Sequence, residues 1–209
     1  YFIEIKVGMV LNFYSLNYFS FIFILISFFS LMYAYINSDF SNYNVFSNSH
    51  SSKPLLYKIS GTWGNHEGSM LLWLTIMLFY SFVFSFNKSL EKEVKKMTIF
   101  FQSCLYVLFS LFVIFTSNPF LINSINMDEG LGLNPILQDP ALAIHPPMLY
   151  IGYVGFSLIL SLALAGLFLN KIDNKWIYTS KKWALFCWSM LTGGIALGSF
   201  WAYYELGWG

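Results

Sequence analysis

Residues 132–147 carry the side chains best suited to binding chemistry. The run Gly132-Leu133-Asn134-Pro135-Ile136-Leu137-Gln138-Asp139-Pro140 leads into His145-Pro146-Pro147, between two long apolar segments. A polar, stiff run in that place is costly unless something binds it. Proline suits the first helical turn, where its missing N–H would be unpaired anyway. Asn134-Pro135 and Asp139-Pro140 therefore each read as a cap plus a first turn, and one or two short surface helices are expected. Pro146 disfavours the helical region for the residue before it. That predicts an extended His145, held stiffly where the fourth apolar segment opens at Pro146-Pro147. A histidine so supported suits a ligand role, against the plainer reading of a hydrogen-bonded side chain.

Two further constellations flank apolar segments. In Trp63-Gly64-Asn65-His66-Glu67-Gly68-Ser69, either Asn65 or Ser69 can cap a helix by accepting a backbone N–H, and Glu67 suits the positive dipole end. Capping and a tryptophan anchor account for most of this stretch. The remainder is His66 beside Glu67, a pair able to hydrogen-bond a ligand or titrate together. Near the other end, Gly194, Gly198 and Ala202 recur every four residues, a spacing that admits another helix. Trp201, Tyr204, Glu205 and Trp208 follow at steps of three and four on a different face. An aromatic belt at the membrane surface explains them, and the adjoining glycines also suit close approach to a flat ring system. Gly152 and Gly155 read as packing residues.

The elements that position these groups are membrane helices. The 209 residues are 57% hydrophobic and 10% charged, with mean hydropathy +0.60, where soluble domains carry about 25% charge. Five apolar segments of spanning length fall at about 17–36, 69–86, 97–116, 148–169 and 183–203, with no Asp, Glu, Lys or His inside them. The predicted fold is all-α: one polytopic membrane domain over residues 1–209, with long outer loops carrying short surface helices. The first segment lacks a small-residue cleavage site and reads as a span rather than a signal peptide. Lys6, Lys88, Lys92, Lys95, Lys96, Lys171, Lys175, Lys181 and Lys182 all fall on one side, which the lysine bias makes the inner one. His50, His66 and His145 fall on the outer side, in loops of about 30 residues, a length that is usually functional or disordered. The net charge of +1 gives no reason to propose a nucleic-acid partner. Cys104 and Cys187 lie apart in apolar runs and read as small buried packing residues. The absence of arginine beside 23 Phe and 14 Tyr is the usage of an AT-rich coding genome, organellar or endosymbiotic.

With these motifs in order, from about Tyr33 onward, the chain resembles the CcmF/NrfE family of cytochrome c maturation proteins, the haem-lyase components. The matching stretches are 63–69, 132–140, 145–156 and 198–209, the last reading Gly198-Ser199-Phe200-Trp201-Ala202-Tyr203-Tyr204-Glu205-Leu206-Gly207-Trp208-Gly209. The resemblance implies a tryptophan-rich outer platform for haem, bracketed by two histidines that bind the iron axially. It implies that haem arrives from a membrane haem chaperone and that its vinyl groups are joined to the cysteines of an apocytochrome c. His145 matches the first axial histidine. Trp201, Glu205, Trp208 and His66 are the remaining haem-contact candidates, with His66 and Glu67 near the propionates or a partner domain rather than on iron. The implied location is the mitochondrial inner membrane or a bacterial plasma membrane, with the working loops in the intermembrane space or periplasm. The sequence stops where the family's tryptophan-rich segment begins, so the second histidine is expected from a second lyase chain or from sequence missing here. On this reading the chain is an incomplete part of a lyase. The competing class is an ion- or proton-translocating respiratory subunit, which needs ionisable residues within its spans; these spans contain none.

Overall fold

A computed structural model describes residues 7–125, 127–132 and 139–207 of the chain, with side chains from residue 14 onward and excepting Leu142 and Leu206. Its helices are α1 (Val7–Asn37), α2 (Tyr43–Asn48), α3 (Leu55–Gly61), α4 (His66–Ser85), α5 (Lys92–Thr116), α6 (Pro140–Leu169) and α7 (Asn174–Leu206). Five are long and apolar enough to cross a membrane: Tyr14–Asn37, His66–Ser85, Lys92–Thr116, Ala143–Leu169 and Asn174–Glu205. Each observed span overruns its predicted segment because the helices continue through polar residues. His66 and Glu67 open the second, and Lys92, Lys95 and Lys96 open the third. The predicted freedom from ionisable groups therefore holds for the apolar middles and not for the ends.

Helices α4 and α6 form the centre: α4 packs against α1, α5 and α6, and α6 against α5 and α7 as well. Phe28, Leu31 and Tyr35 of α1 and Tyr80 and Phe84 of α4 belong to one apolar cluster, which Ile99, Leu158, Leu162 and Cys187 extend through the other spans. Neutral polar side chains cross-link the spans where hydrocarbon offers no alternative partner. The Gln102 amide donates to Ser157 Oγ (2.8 Å) and accepts from Ser161 Oγ (2.8 Å). Ser81 Oγ donates to Asn17 Oδ1 at 2.7 Å, joining α4 to α1. Cys187 is buried as expected; Cys104 is instead exposed on α5, on a face that no helix covers.

At one end the spans are joined by the short turns 86–91 and 170–173, and Lys171 bridges Glu91 (2.8 Å) and Glu93 (2.5 Å). At the other end the two long loops interlock. Tyr43 N donates to the Leu121 carbonyl and Asn123 N to that of Ser41, both at 2.8 Å, around an antiparallel bridge between Asn42 and Ile122. Farther along, Leu131 N donates to Phe46 O and Gly132 N to Ser49 O. Gly130 lies so close to the Ser49 carbonyl that any side chain there would collide with it. Short helices do occur in a long loop, but they are α2 and α3 of the first one; the short helix expected at Asp139-Pro140 is the start of α6 instead. The Asn134-Pro135 cap reading falls outside the described residues.

Candidate functional site

The start of α4 is built by Asn65. Its Oδ1 accepts Gly68 N at 2.8 Å, the N-cap bond that satisfies one of the orphan donors of a first turn. The same amide donates to Tyr35 OH (2.9 Å) and to the Gly61 carbonyl (2.7 Å). Asn44 completes the cluster. It accepts from Tyr35 OH at 2.6 Å and donates to Asn65 Oδ1 (2.9 Å) and Glu67 Oε2 (3.1 Å). Ser69 does not cap; its hydroxyl donates back to the Trp63 carbonyl at 2.8 Å. His66 and Glu67 part company, because neighbouring residues on a helix lie about 100° apart. His66 Nε2 pairs with Ser117 Oγ at 3.0 Å, so Glu67 is tied to α2 and His66 to the second long loop.

The second wall is the α6–α7 hairpin, and here the expected conformation of His145 is corrected. Asp139 Oδ1 accepts Ala141 N at 2.6 Å and Pro140 takes the first helical position, so the Asp139-Pro140 signal opens α6 itself. His145, Pro146 and Pro147 are therefore inside a helix, not extended ahead of one. The early cap outweighs the local bias against a helical residue before proline. The cost is that Pro146 and Pro147 have no N–H to give the carbonyls of Leu142 and Ala143.

The small-residue face of α7 is also not open to another chain. Gly194 lies on the Leu149 backbone, where an added Cβ would come within 2.7 Å of Cα. Gly152 meets the Leu191 backbone more closely still, and Gly155 lies against Cys187 and Tyr80. Gly198 lies on the imidazole of His145, whose Nδ1 is 2.8 Å from the Gly194 carbonyl. The four-residue rhythm of glycine and alanine is the seam of α7 on its own neighbour.

These two walls enclose an open cleft of about 380 Å³, lined among others by Trp63, His66, His145, Leu149, Tyr150 and Trp201. The Trp201 ring lies 6.1 Å from that of His145, tilted by 32°, and its indole N–H is buried without a hydrogen-bond partner among the described residues. Tyr150 OH donates to Ser69 Oγ at 3.3 Å and ties the walls together. Of the predicted contact residues, His66, His145 and Trp201 thus share one cleft. Glu205 is exposed on the last turn of α7 and does not line it, and Trp208 is outside the described residues. The sequence reading missed Ser117 and Gly194, the partners of the two histidines; no motif marks a lone serine or a backbone carbonyl.

Next to the cleft the long loops are held by charge. Ser51 donates both its backbone N–H and its hydroxyl to Glu129, and these bonds hold the Glu129 carboxyl down to about 2. His50 sits in this clasp with Nδ1 2.9 Å from Ser52 Oγ and 3.8 Å from Glu129. Burial lowers Lys53 to about 8, and its ammonium donates to the Asn48 carbonyl at 2.7 Å.

The profile of the family "Cytochrome C assembly protein" matches residues 63–209. The CycK cytochrome c-type biogenesis protein of Rhizobium meliloti (strain 1021) is 52% identical over 190 residues, covering 90% of this chain and 28% of its own length. The CcmF biogenesis protein of Escherichia coli (strain K12) is 43% identical over 185 residues, 88% of this chain and 29% of the relative. A solved structure titled "Cytochrome c Heme Lyase CcmF" superposes with a TM-score of 0.76 at 24% identity, over 91% of this chain and 30% of that one, and shares the fold. The chain spans less than a third of the length of these relatives.

Proposed function

Because this chain belongs to the cytochrome c assembly protein family, we propose that it presents haem at the outer membrane surface for attachment to apocytochrome c. Haem is the substrate on this reading. Its vinyl carbons receive the cysteine sulfurs of the client, and the protein's part is to hold and orient the ring. The observation that carries the reading is the convergence of His145, Trp201, Trp63 and Tyr150 on one cleft. The His145 imidazole among aromatic walls suits an iron that brings its own equatorial ligands. A buried indole N–H without an acceptor suits a ligand edge bearing oxygen. His145 is the axial ligand, Trp201 packs beside it, and His66 lines the rim. Glu205 and Trp208 remain haem-contact candidates on the family resemblance alone.

The lysine-rich turns face the inner compartment, and the cleft opens toward the periplasm or intermembrane space. Since these residues correspond to under a third of the relatives' length, the tryptophan-rich platform and a second axial histidine are assigned to sequence beyond them, on a second lyase chain or a continuation. A haem chaperone and the apocytochrome are the remaining partners.

The test is His145→Gly in the complete lyase. Haem retention and cytochrome c maturation should be lost while the chain stays inserted, and added imidazole should restore part of both. Normal maturation by His145→Ala would refute the ligand role. For orientation, a cysteine at position 92 should resist an impermeant reagent applied from the outer side.

A further inference from the structure

We infer that α7 sets the chemical state of the imidazole it carries: the Gly194 carbonyl fixes the His145 tautomer, and Gly198 is the space that lets the ring reach it. The inference rests on the haem reading above and adds positioning residues to it. Gly194 O lies 2.8 Å from His145 Nδ1. A carbonyl oxygen only accepts, so Nδ1 must carry the proton, and the neutral ring then has its lone pair on Nε2. A free histidine side chain in water prefers the opposite arrangement, with the proton on Nε2. The helix therefore holds the less common tautomer, the one with its distal nitrogen ready to bind a metal.

Gly198 makes this geometry possible. A Cβ there would collide with His145 Cε1 and come within 2.9 Å of Nδ1 and 3.0 Å of Nε2. All three atoms of the ring's N–C–N edge thus occupy the volume that any other residue would fill. The register is locked one turn away, where Gly194 rides on the Leu149 backbone, four residues beyond His145. Gly194 and Gly198 are positioning residues; neither touches the ligand. The spacing that identifies a helix-packing face is at the same time the mount of a metal ligand.

The decisive measurement uses haem-free protein. The full chain, labelled with ¹⁵N-histidine, is reconstituted in nanodiscs well above the ordinary histidine pKa of about 6.5. The His145 signals are assigned by their loss in His145→Gln. We expect a protonated Nδ1 and a bare Nε2; a ring protonated on Nε2, or an even mixture, overturns the inference. Gly198→Ala should mix the tautomers, lower haem retention about 10-fold and alter the haem absorbance. Unchanged tautomer and spectrum in that variant would equally sink the role of Gly198. Should Gly198→Ala fail to insert, the wild-type spectrum still decides the Gly194 claim. A His145→Gly variant that retains haem as well as the wild type would refute the haem reading alone and leave the tautomer result standing.

Discussion

Helices α4 and α7 are both membrane spans, yet they are held in opposite ways. The α4 window is 61% buried and the α7 window 11%. Helix α4 packs against three other spans and is fastened at its head by Asn65, Asn44 and Tyr35. Helix α7 packs chiefly along α6 through a glycine seam, touches α4 through Trp183 and Cys187, and turns Trp188, Ile195, Phe200, Tyr203 and Tyr204 outward. In hydrocarbon such an apolar surface is at no disadvantage, because lipid is as apolar as the side chains. The cleft has one wall on each helix. Its His66 side is anchored by a network of polar side chains, while its His145 and Trp201 side rests mainly on close helix packing, with the His145–Gly194 hydrogen bond added to it.

The difference can be broken at the seam first. Gly152→Leu drives a side chain into the Leu191 backbone and should cost about 3 kcal/mol or more. Cys187, buried behind that seam, should then react with a membrane-permeable thiol reagent; an unreactive Cys187 and unchanged melting would contradict the packing account. Asn65→Ala removes the cap and its bonds to Tyr35 and Gly61. It should lower stability by about 2 kcal/mol, read by detergent-titrated unfolding, without exposing Cys187. Gln102→Leu, which cuts a buried α5–α6 link, is expected to cost about 1 kcal/mol in the same assay. Phe200→Ala, on the outward face of α7, should lie within about 0.5 kcal/mol of wild type. A large loss there would mean that this face is covered by protein rather than lipid.

The loop clasp sharpens the contrast through pH. Glu129 is held at about 2 against an ordinary 4.5. Between those values the unfolded carboxyl binds more protons than the folded one, so stability rises with pH across the window. The contribution is present above 4.5 and is lost as pH falls toward 2. Amide exchange at Ser51 and Gly130, corrected for intrinsic rates, should accelerate below pH 4.5, and Glu129→Gln should abolish that dependence. Exchange in the wild type that ignores pH would remove the clasp from the account.

The five spans were legible because a long apolar run in a polar chain has few other fates. The Asn65 cap and the Asp139-Pro140 helix start were legible from local chemistry. His145 was misjudged in conformation because the restriction before proline is a local bias, and a cap six residues upstream overrode it. For Gly194 and Gly198, spacing signals a close approach but not which helix approaches. The four-residue turn 170–173 already makes α6 the nearest antiparallel neighbour of α7. The interlocked loops left no trace in the sequence, since their backbone pairs join residues some eighty positions apart whose side chains do not encode the match.

That separation has a consequence for how the protein is made. Ser51 precedes its partner Glu129 by 78 positions. At about 5–20 residues per second, the first long loop waits roughly 4–16 seconds before the second is synthesised. Two further spans must cross in that interval. During it, the backbone groups of Ser41, Tyr43, Phe46 and Ser49 that later pair with the second loop are open to water and to any neighbouring strand. The first loop is thus a waiting half, and its serines and asparagines keep it soluble until the matching half is delivered.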